Sequence, residues 1–226
     1  MPRNDLIQLR RDTAANWTSE DPTLAAGEMG FETDTGKFKI GTGSTAWNSL
    51  LYAVTPTQTF TYKVGDTGPG GGIIFFVDRY DEYAGFTYLE VAPVGTEVQL
   101  TWATDVNSNR TTAVSGADSK ALGAGHQNTL DIVAQTGNIA ATCAAAYCAD
   151  LTSGGQTDWY LGSTTEMKMV YEVVHLQLSV GGFSPGYYWS SSEYVPGLAW
   201  IQGFYDGNQF NDFKSSTYYV RPVRRF

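Results

Sequence analysis

The sequence predicts an α+β protein in two parts, a small β-rich unit over residues 1–54 and a larger domain over 62–226, with 55–61 as linker. Strand-sized apolar runs fall in two blocks, one ending near residue 92 and one starting near 187. Helix signals fall between those blocks. The composition agrees: 25 Gly, 14% aromatic and 16% charged residues, the last against roughly 25% in an average domain. It is too apolar for a disordered chain and lacks the Ala/Glu/Lys/Leu repeats of a helical bundle.

In the first unit, Leu6-Ile7-Gln8-Leu9-Arg10-Arg11 reads as a short strand. Asp12 or Thr13 caps a helix from Thr13 to Glu20 that holds Ala14, Ala15 and Trp17, and Pro22 stops it. Residues 27–41 alternate apolar and polar side chains on either side of Asp34-Thr35-Gly36, a hairpin signal. Trp47 and Leu50 follow as anchors. So few core residues make the unit marginal alone, and oligomerisation is the expected remedy.

Thr55-Pro56-Thr57-Gln58-Thr59-Phe60-Thr61 has linker composition. The larger domain opens on the turn-rich stretch Gly65 to Gly72, then the buried strand Ile73 to Val77 and a second strand Tyr88 to Ala92. Asn128 is expected to cap a helix over Thr129 to Gln135, stopped at Gly137. The Ala-rich stretch Asn138 to Asp150 reads as a second helix. Ser163-Thr164-Thr165-Glu166 is a capping box for a third, running to about His175. Met167, Val170, Tyr171 and Val174 recur at i, i+3, i+4 and i+7 and form its buried face. Short strands end the chain: Tyr187 to Ser190, Ala199 to Phe204 and Tyr218 to Arg224.

Several function classes are disfavoured. A net charge of -9 repels a phosphate backbone, so nucleic acid is not an expected partner. The start, Met1-Pro2-Arg3-Asn4-Asp5-Leu6, has no apolar core of a signal peptide, and synthesis in the cytoplasm without export is expected. No stretch approaches the ~18 apolar residues of a membrane span, so no membrane insertion is expected. Cys143 and Cys148 would lie roughly 8 Å apart on a helix, too far for an unstrained disulfide. Those cysteines with His126 and His175 make no metal spacing, so neither metal nor cofactor is expected. The Gly65–Gly72 stretch lacks the Gly-Lys-Ser/Thr of a P-loop, and Ser190-Ser191-Ser192 lacks a nucleophile elbow. Glu193, Asp206 and Asp212 are carboxylates a glycosidase could use, but solvated loop acids are the plainer account.

Two stretches resemble known families. Leu6 to Trp17, Ala26 to Gly41 and Ala46-Trp47 resemble the N-terminal domain of the major tropism determinant family, a phage tail-fibre module. That resemblance implies an intertwined trimer. Val64-Gly65-Asp66-Thr67-Gly68-Pro69, Gly72 to Phe75, Gly154-Gly155 with Asp158-Trp159-Tyr160-Leu161, Tyr188 to Tyr194 and Tyr219-Val220-Arg221-Pro222-Val223-Arg224 resemble C-type lectin-like domains of bacterial surface and phage receptor-binding proteins. Gly162 departs from the proline usual there. The resemblance implies that the first strand of the domain, Ile73 to Val77, pairs with the last, Tyr219 to Arg224, and that ligand-binding loops lie opposite. It also implies a virion location: a homotrimeric phage tail-fibre protein, joined to other virion tail proteins by its N-terminal unit, that adsorbs to a protein or glycan receptor on the host-cell surface. The calcium motifs of sugar-binding C-type lectins, Glu-Pro-Asn or Gln-Pro-Asp with Trp-Asn-Asp, are missing. Formylglycine-generating enzymes share the general fold, but the two cysteines are not in a late loop, and the chain reads as non-enzymatic. A structural fibre-base or collar protein and a capsule-degrading enzyme are the alternatives.

The candidate receptor surface comes from residues 187–219, where Tyr187, Tyr188, Trp189, Tyr194, Trp200, Phe204, Tyr205, Phe210, Phe213, Tyr218 and Tyr219 stand among Ser, Asn, Gln, Asp and Gly. Rigid aromatic area with adaptable hydrogen-bonding neighbours is the chemistry of a binding surface. Trp189, Ala199, Phe204 and Val220 are expected in the core. Trp200, Gln202, Tyr205, Asn208, Gln209, Phe210, Asn211, Asp212 and Phe213 are expected at the displayed tip.

Overall fold

The computed structural model describes residues 9–53 and 60–226. The chain folds as two compact units, 1–59 and 60–226. Leu6, Ile7 and Gln8, and most of the expected linker, lie outside the described residues.

In the first unit β1 (Arg10–Asp12) runs parallel to β2 (Met29–Glu32), and β3 (Phe38–Ile40) is antiparallel to β2. Helix α1 (Ala14–Glu20) has Thr13 as its cap, with Thr13 Oγ1 accepting from Asn16 N at 3.3 Å. Asp12 contributes too, its Oδ1 accepting from Thr13 N and Asn16 Nδ2. Asp21 ends the helix in the left-handed region, just before Pro22. Among the described residues its core cluster is Trp17, Leu24 and Trp47, with the two indoles stacked 4.2 Å apart. Gly30 has no substitute here, because a Cβ would lie 2.5 Å from the Trp47 ring. Lys39 is buried against the same ring, and its Nζ donates to Trp47 O at 2.8 Å.

The second unit mixes helices with two sheets, as expected for α+β. One sheet has three strands in the order β11–β5–β4, where β4 is Ile73–Val77, β5 Tyr88–Val91 and β11 Val223–Arg225. The other has five, in the order β6–β10–β7–β8–β9: Val98–Thr101, Thr217–Val220, Tyr187–Val195, Leu198–Gly203 and Gln209–Phe213. Helices α2 (Gly125–Ala134), α3 (Ala144–Asp150) and α4 (Thr164–Met169) come between β6 and β7 in the chain. The capping box forms as the sequence predicts, with Ser163 and Glu166 bonding each other's backbone. Met167, Val170 and Val174 are buried and Tyr171 half-buried, although the helix widens to π geometry over Val170–Gln177.

Four expectations need correction. Asn128 is no cap: α2 starts three residues earlier, and the Asn128 amide is buried, donating to Ser119 O at 2.7 Å and Ser191 Oγ at 3.3 Å. The Ala-rich helix is only α3, because the Asn138 side chain diverts the backbone before it, accepting from Thr104 N and donating to Ile132 O. Cys143 precedes α3 and bridges to Thr101, and both cysteines are buried free thiols. The last strand is two strands, broken at Arg221-Pro222. Pro222 has no N–H for a ladder, and the buried Arg221 guanidinium leaves the sheet to bond Ala92 O, Gly181 O and Glu97 Oε2. The final strand therefore pairs with β5, through Val223 and Val91, and β5 separates it from β4.

Candidate functional site

β8 and β9 form the outer hairpin of the five-stranded sheet, and their register decides which side chains share a surface. Trp189 faces Ile201, and Ile201 faces Phe210. Tyr219 faces Tyr188, so Tyr218 lies on the face of Tyr187 and Trp189. One face of the sheet thus holds Tyr187, Trp189, Ile201, Phe210, Asp212 and Tyr218. Trp200, Gln202, Gln209, Asn211 and Phe213 lie on the other.

The turn between these strands closes on Gly207, whose φ is +75°. Gly207 N donates to Gly203 O at 3.1 Å, and Gly203 N donates to Asn208 O at 2.8 Å. Asp206 rigidifies the turn by accepting from Asn208 N at 3.1 Å and Asn208 Nδ2 at 2.8 Å. Behind it, the Tyr171 ring sits where a Cβ at 207 would fall, 2.7 Å away.

On the first face Tyr187 is the hub. Its ring meets Tyr205 at 5.3 Å, Tyr218 at 5.4 Å and Phe210 at 6.2 Å, all edge to face. Its hydroxyl bonds that of Tyr205, which pushes the Tyr205 phenol up to about 12. Tyr218 is also raised to about 12, by burial and by donating to Asp212 Oδ2. Trp189, fully buried, packs under Tyr218 at 5.0 Å and anchors the cluster. Tyr205 is 57% and Phe210 44% exposed, so the cluster has a buried floor and an open aromatic top.

The second face is more closed. Trp200 is half-buried between Tyr194, edge-on at 5.2 Å, and Lys120, whose Nζ stands 3.8 Å over the indole. Gln202 contradicts its expected place at the tip: it is fully buried, and its Nε2 donates to Gly203 O at 3.0 Å. Its face of β8 lies towards α4 rather than solvent. Gln209 Nε2 donates to Thr164 O at 2.8 Å, tying β9 to the same helix. Asn208 and Phe213 are exposed and Asn211 is half-buried. The nine expected residues therefore form no single surface. Tyr187 and Tyr218 belong to the first cluster although neither is among those nine. Their alternation with the buried Tyr188 and with Tyr219, which stacks on it, was the signal available.

The carboxylates are engaged in structure. Glu193 is buried, pairs with Lys214 and accepts from Val114 N. Asp212 holds Tyr218 and Phe213 N, and Asp206 holds its own turn. Among the described residues no group of three His, Cys, Asp or Glu could hold a metal ion. What the arrangement offers is contact area with hydroxyl and amide edges, the chemistry of recognition.

Comparison with known proteins assigns the two ends of the chain. Residues 7–45 match the major tropism determinant N-terminal domain. The chain is 42% identical over 50 residues to a hyaluronoglucosaminidase of Streptococcus pyogenes phage H4489A, spanning 22% of this chain and only 14% of that protein. A full-length Streptococcal bacteriophage hyaluronidase, solved with unsaturated hyaluronan octasaccharides, is 38% identical over 28% of this chain and 19% of its own, with a TM-score of 0.21. A fimbrial protein from Bacteroides ovatus ATCC 8483 aligns over 88% of this chain and 50% of its own at 14% identity, with a TM-score of 0.45. Residues 95–224, more than half of the sequence and including every residue of the two aromatic faces, match the Lcl C-terminal domain, and the chain belongs to that family.

Proposed function

We propose that the chain is the receptor-binding protein of a phage tail fibre. Its second unit, a C-type lectin-like domain, presents the Tyr187–Tyr205–Phe210–Tyr218 surface to a receptor on the host cell. The observation that carries this reading is that surface itself. Four aromatic rings stand over the buried Trp189, with tyrosine hydroxyls at their edges and the carboxylate of that face, Asp212, bonded to Tyr218. Rings held in fixed orientation lose little freedom on binding, which favours affinity. The tropism-determinant match of residues 7–45 and the phage origin of a 42%-identical relative support a virion setting.

The first unit is read as a homotrimer that also attaches to other tail proteins. The small core its described residues form, Trp17, Leu24 and Trp47, supports this, being slight for a free-standing unit. Three copies of a weak site gain strength together, because later contacts form at high effective concentration.

The relative named as a hyaluronoglucosaminidase raises an enzymatic alternative, and the structurally engaged carboxylates speak against it here. The test is competition. Purified chain added before the phage should block its adsorption to cells of a strain it lyses. Unchanged adsorption would indicate a structural fibre component, and oligosaccharide released from host capsule would indicate an enzyme.

A further inference from the structure

The second unit has four outer sheet edges; β4 and β11 are paired with its own backbone, and β6 is paired at its Thr101 end. At β6, Thr101 bridges to Cys143, and Thr101 Oγ1 donates to Thr142 O. At β4, Thr67 bridges to Ile73, with Gly65 N donating to Ile74 O at 2.8 Å and Ile74 N to Asp66 O at 2.9 Å. At β11, Tyr160 and Val223 exchange both backbone hydrogen bonds, at 2.8 and 2.9 Å.

The β9 edge differs. The bonds from Gly203 N to Asn208 O and from Lys214 N to Gly197 O fix the phase of the β8–β9 ladder. In that phase Phe210 and Asp212 turn their N–H and C=O groups to β8, and Gln209, Asn211 and Phe213 turn theirs outward. Phe213 is satisfied locally, its N–H by Asp212 Oδ1 at 2.7 Å and its C=O by Ser216 N at 2.8 Å. For the outward groups of Gln209 and Asn211 no backbone partner exists among the described residues.

Proteins protect such edges with lysine, proline, a bulge within the strand or a covering loop. β9 has no lysine, proline or internal bulge: its sequence is Gln-Phe-Asn-Asp-Phe, its register with β8 is unbroken, and its one charge, Asp212, is taken up by Tyr218 and Phe213 N. Phe210 and Phe213 stand exposed on opposite faces of it, each able to pack against an alternate side chain of an added strand. The charges of the strand and its turn are Asp212 and Asp206, which favours a basic side chain opposite them.

We infer that β9 is an acceptor edge for strand addition, and that the receptor is a protein supplying an extended, basic and apolar segment, bonded to the outward groups of Gln209 and Asn211. This rests on the receptor-binding reading above and names the partner's class. Another copy of β9 is a competing occupant, and the common acidity of the copies weighs against it.

The test uses the labelled full chain and cells of a strain lysed by the phage. Asn211→Pro deletes one outward N–H while leaving the β8 ladder in place, since that N–H does not serve it. Binding should fall at least ten-fold relative to Asn211→Ala, and proteinase K treatment of the cells should abolish it. Equal binding by the Pro and Ala variants, binding that survives proteinase K, or a concentration-dependent dimer broken by Asn211→Pro would each overturn the inference. Loss of binding in Tyr205→Ala/Phe210→Ala with Asn211→Pro intact would leave the surface reading standing and remove strand addition alone. Loss in neither would remove both. Should Asn211→Pro lower the melting temperature, hydrogen exchange of the wild-type chain replaces it. With solubilised envelope protein of the same strain added, the amides of Gln209 and Asn211 should slow, and unchanged exchange would overturn the inference.

Discussion

Trp200 and Phe210 are neighbours across one hairpin, yet their side chains lie on opposite faces of the sheet. Trp200 is wedged between Tyr194 and Lys120, whereas Phe210 is 44% exposed beside Tyr187. The two substitutions should therefore separate. Trp200→Ala is expected to cost about 2–3 kcal/mol of stability through lost burial, and Phe210→Ala about 0.5 kcal/mol or less. Urea denaturation of the two variants distinguishes them.

The turn that sets both faces depends on Gly207. Its φ of +75° and the Tyr171 ring behind it leave a side chain neither conformation nor space. Gly207→Ala should cost about 1–3 kcal/mol. Gly207→Ala with Tyr171→Ala should recover the steric share of that loss, which thermal melts of the two variants would show.

Lys214, at the end of β9, is fully buried with its ammonium on Glu193 and over the Trp102 ring. Burial pulls its ammonium below the ordinary lysine value, and Glu193 opposes that shift. Lys214→Met strands the Glu193 carboxylate in the core and should cost about 3–5 kcal/mol. Adding Glu193→Gln should restore part of this, measured by a double-mutant cycle in urea.

His126 predicts a pH dependence. Burial, then the Arg225 guanidinium 3.2 Å from its Nδ1, depresses its pKa, with Asp158 opposing and Tyr160 edge-on to the ring. A histidine depressed in the fold contributes stability that is fully present above its ordinary value of 6.5 and is lost as pH falls towards the folded value. Melting temperature should fall between pH 7 and pH 5, and His126→Gln should flatten that part of the profile. An unchanged slope in the variant would remove His126 as the cause.

Much of the scaffold was legible because its signals are local. The apolar run Ile73–Val77, the Ser163/Glu166 box and the alternation through Tyr187, Tyr188 and Trp189 each report their own neighbourhood. β9 was not legible. An edge strand open on both faces carries no apolar–polar alternation, and Gln209-Phe210-Asn211-Asp212-Phe213 reads as loop. Gln202 misled for a related reason. Its burial follows from the α4 side of the sheet, where Gln209 Nε2 bonds Thr164 O across 45 residues of chain. Asn128 looks like a cap and Asn138 like the start of a helix, but each spends its amide on backbone outside that helix.

The small core of the first unit gives a sharp expectation. Trp17 stacks on Trp47 and its Nε1 donates to Phe31 O at 3.0 Å. Trp17→Ala should cost about 3–5 kcal/mol there. It should turn the proposed trimer into monomers in light scattering while the second unit keeps its own melting transition.

The most direct test of the receptor-binding account is the adsorption of Tyr205→Ala/Phe210→Ala to cells of a strain lysed by the phage. Both substitutions strip the same exposed face and leave its Trp189 floor untouched. The account predicts at least a ten-fold loss of cell binding with an unchanged melting temperature, and binding equal to wild type by this folded variant would contradict it.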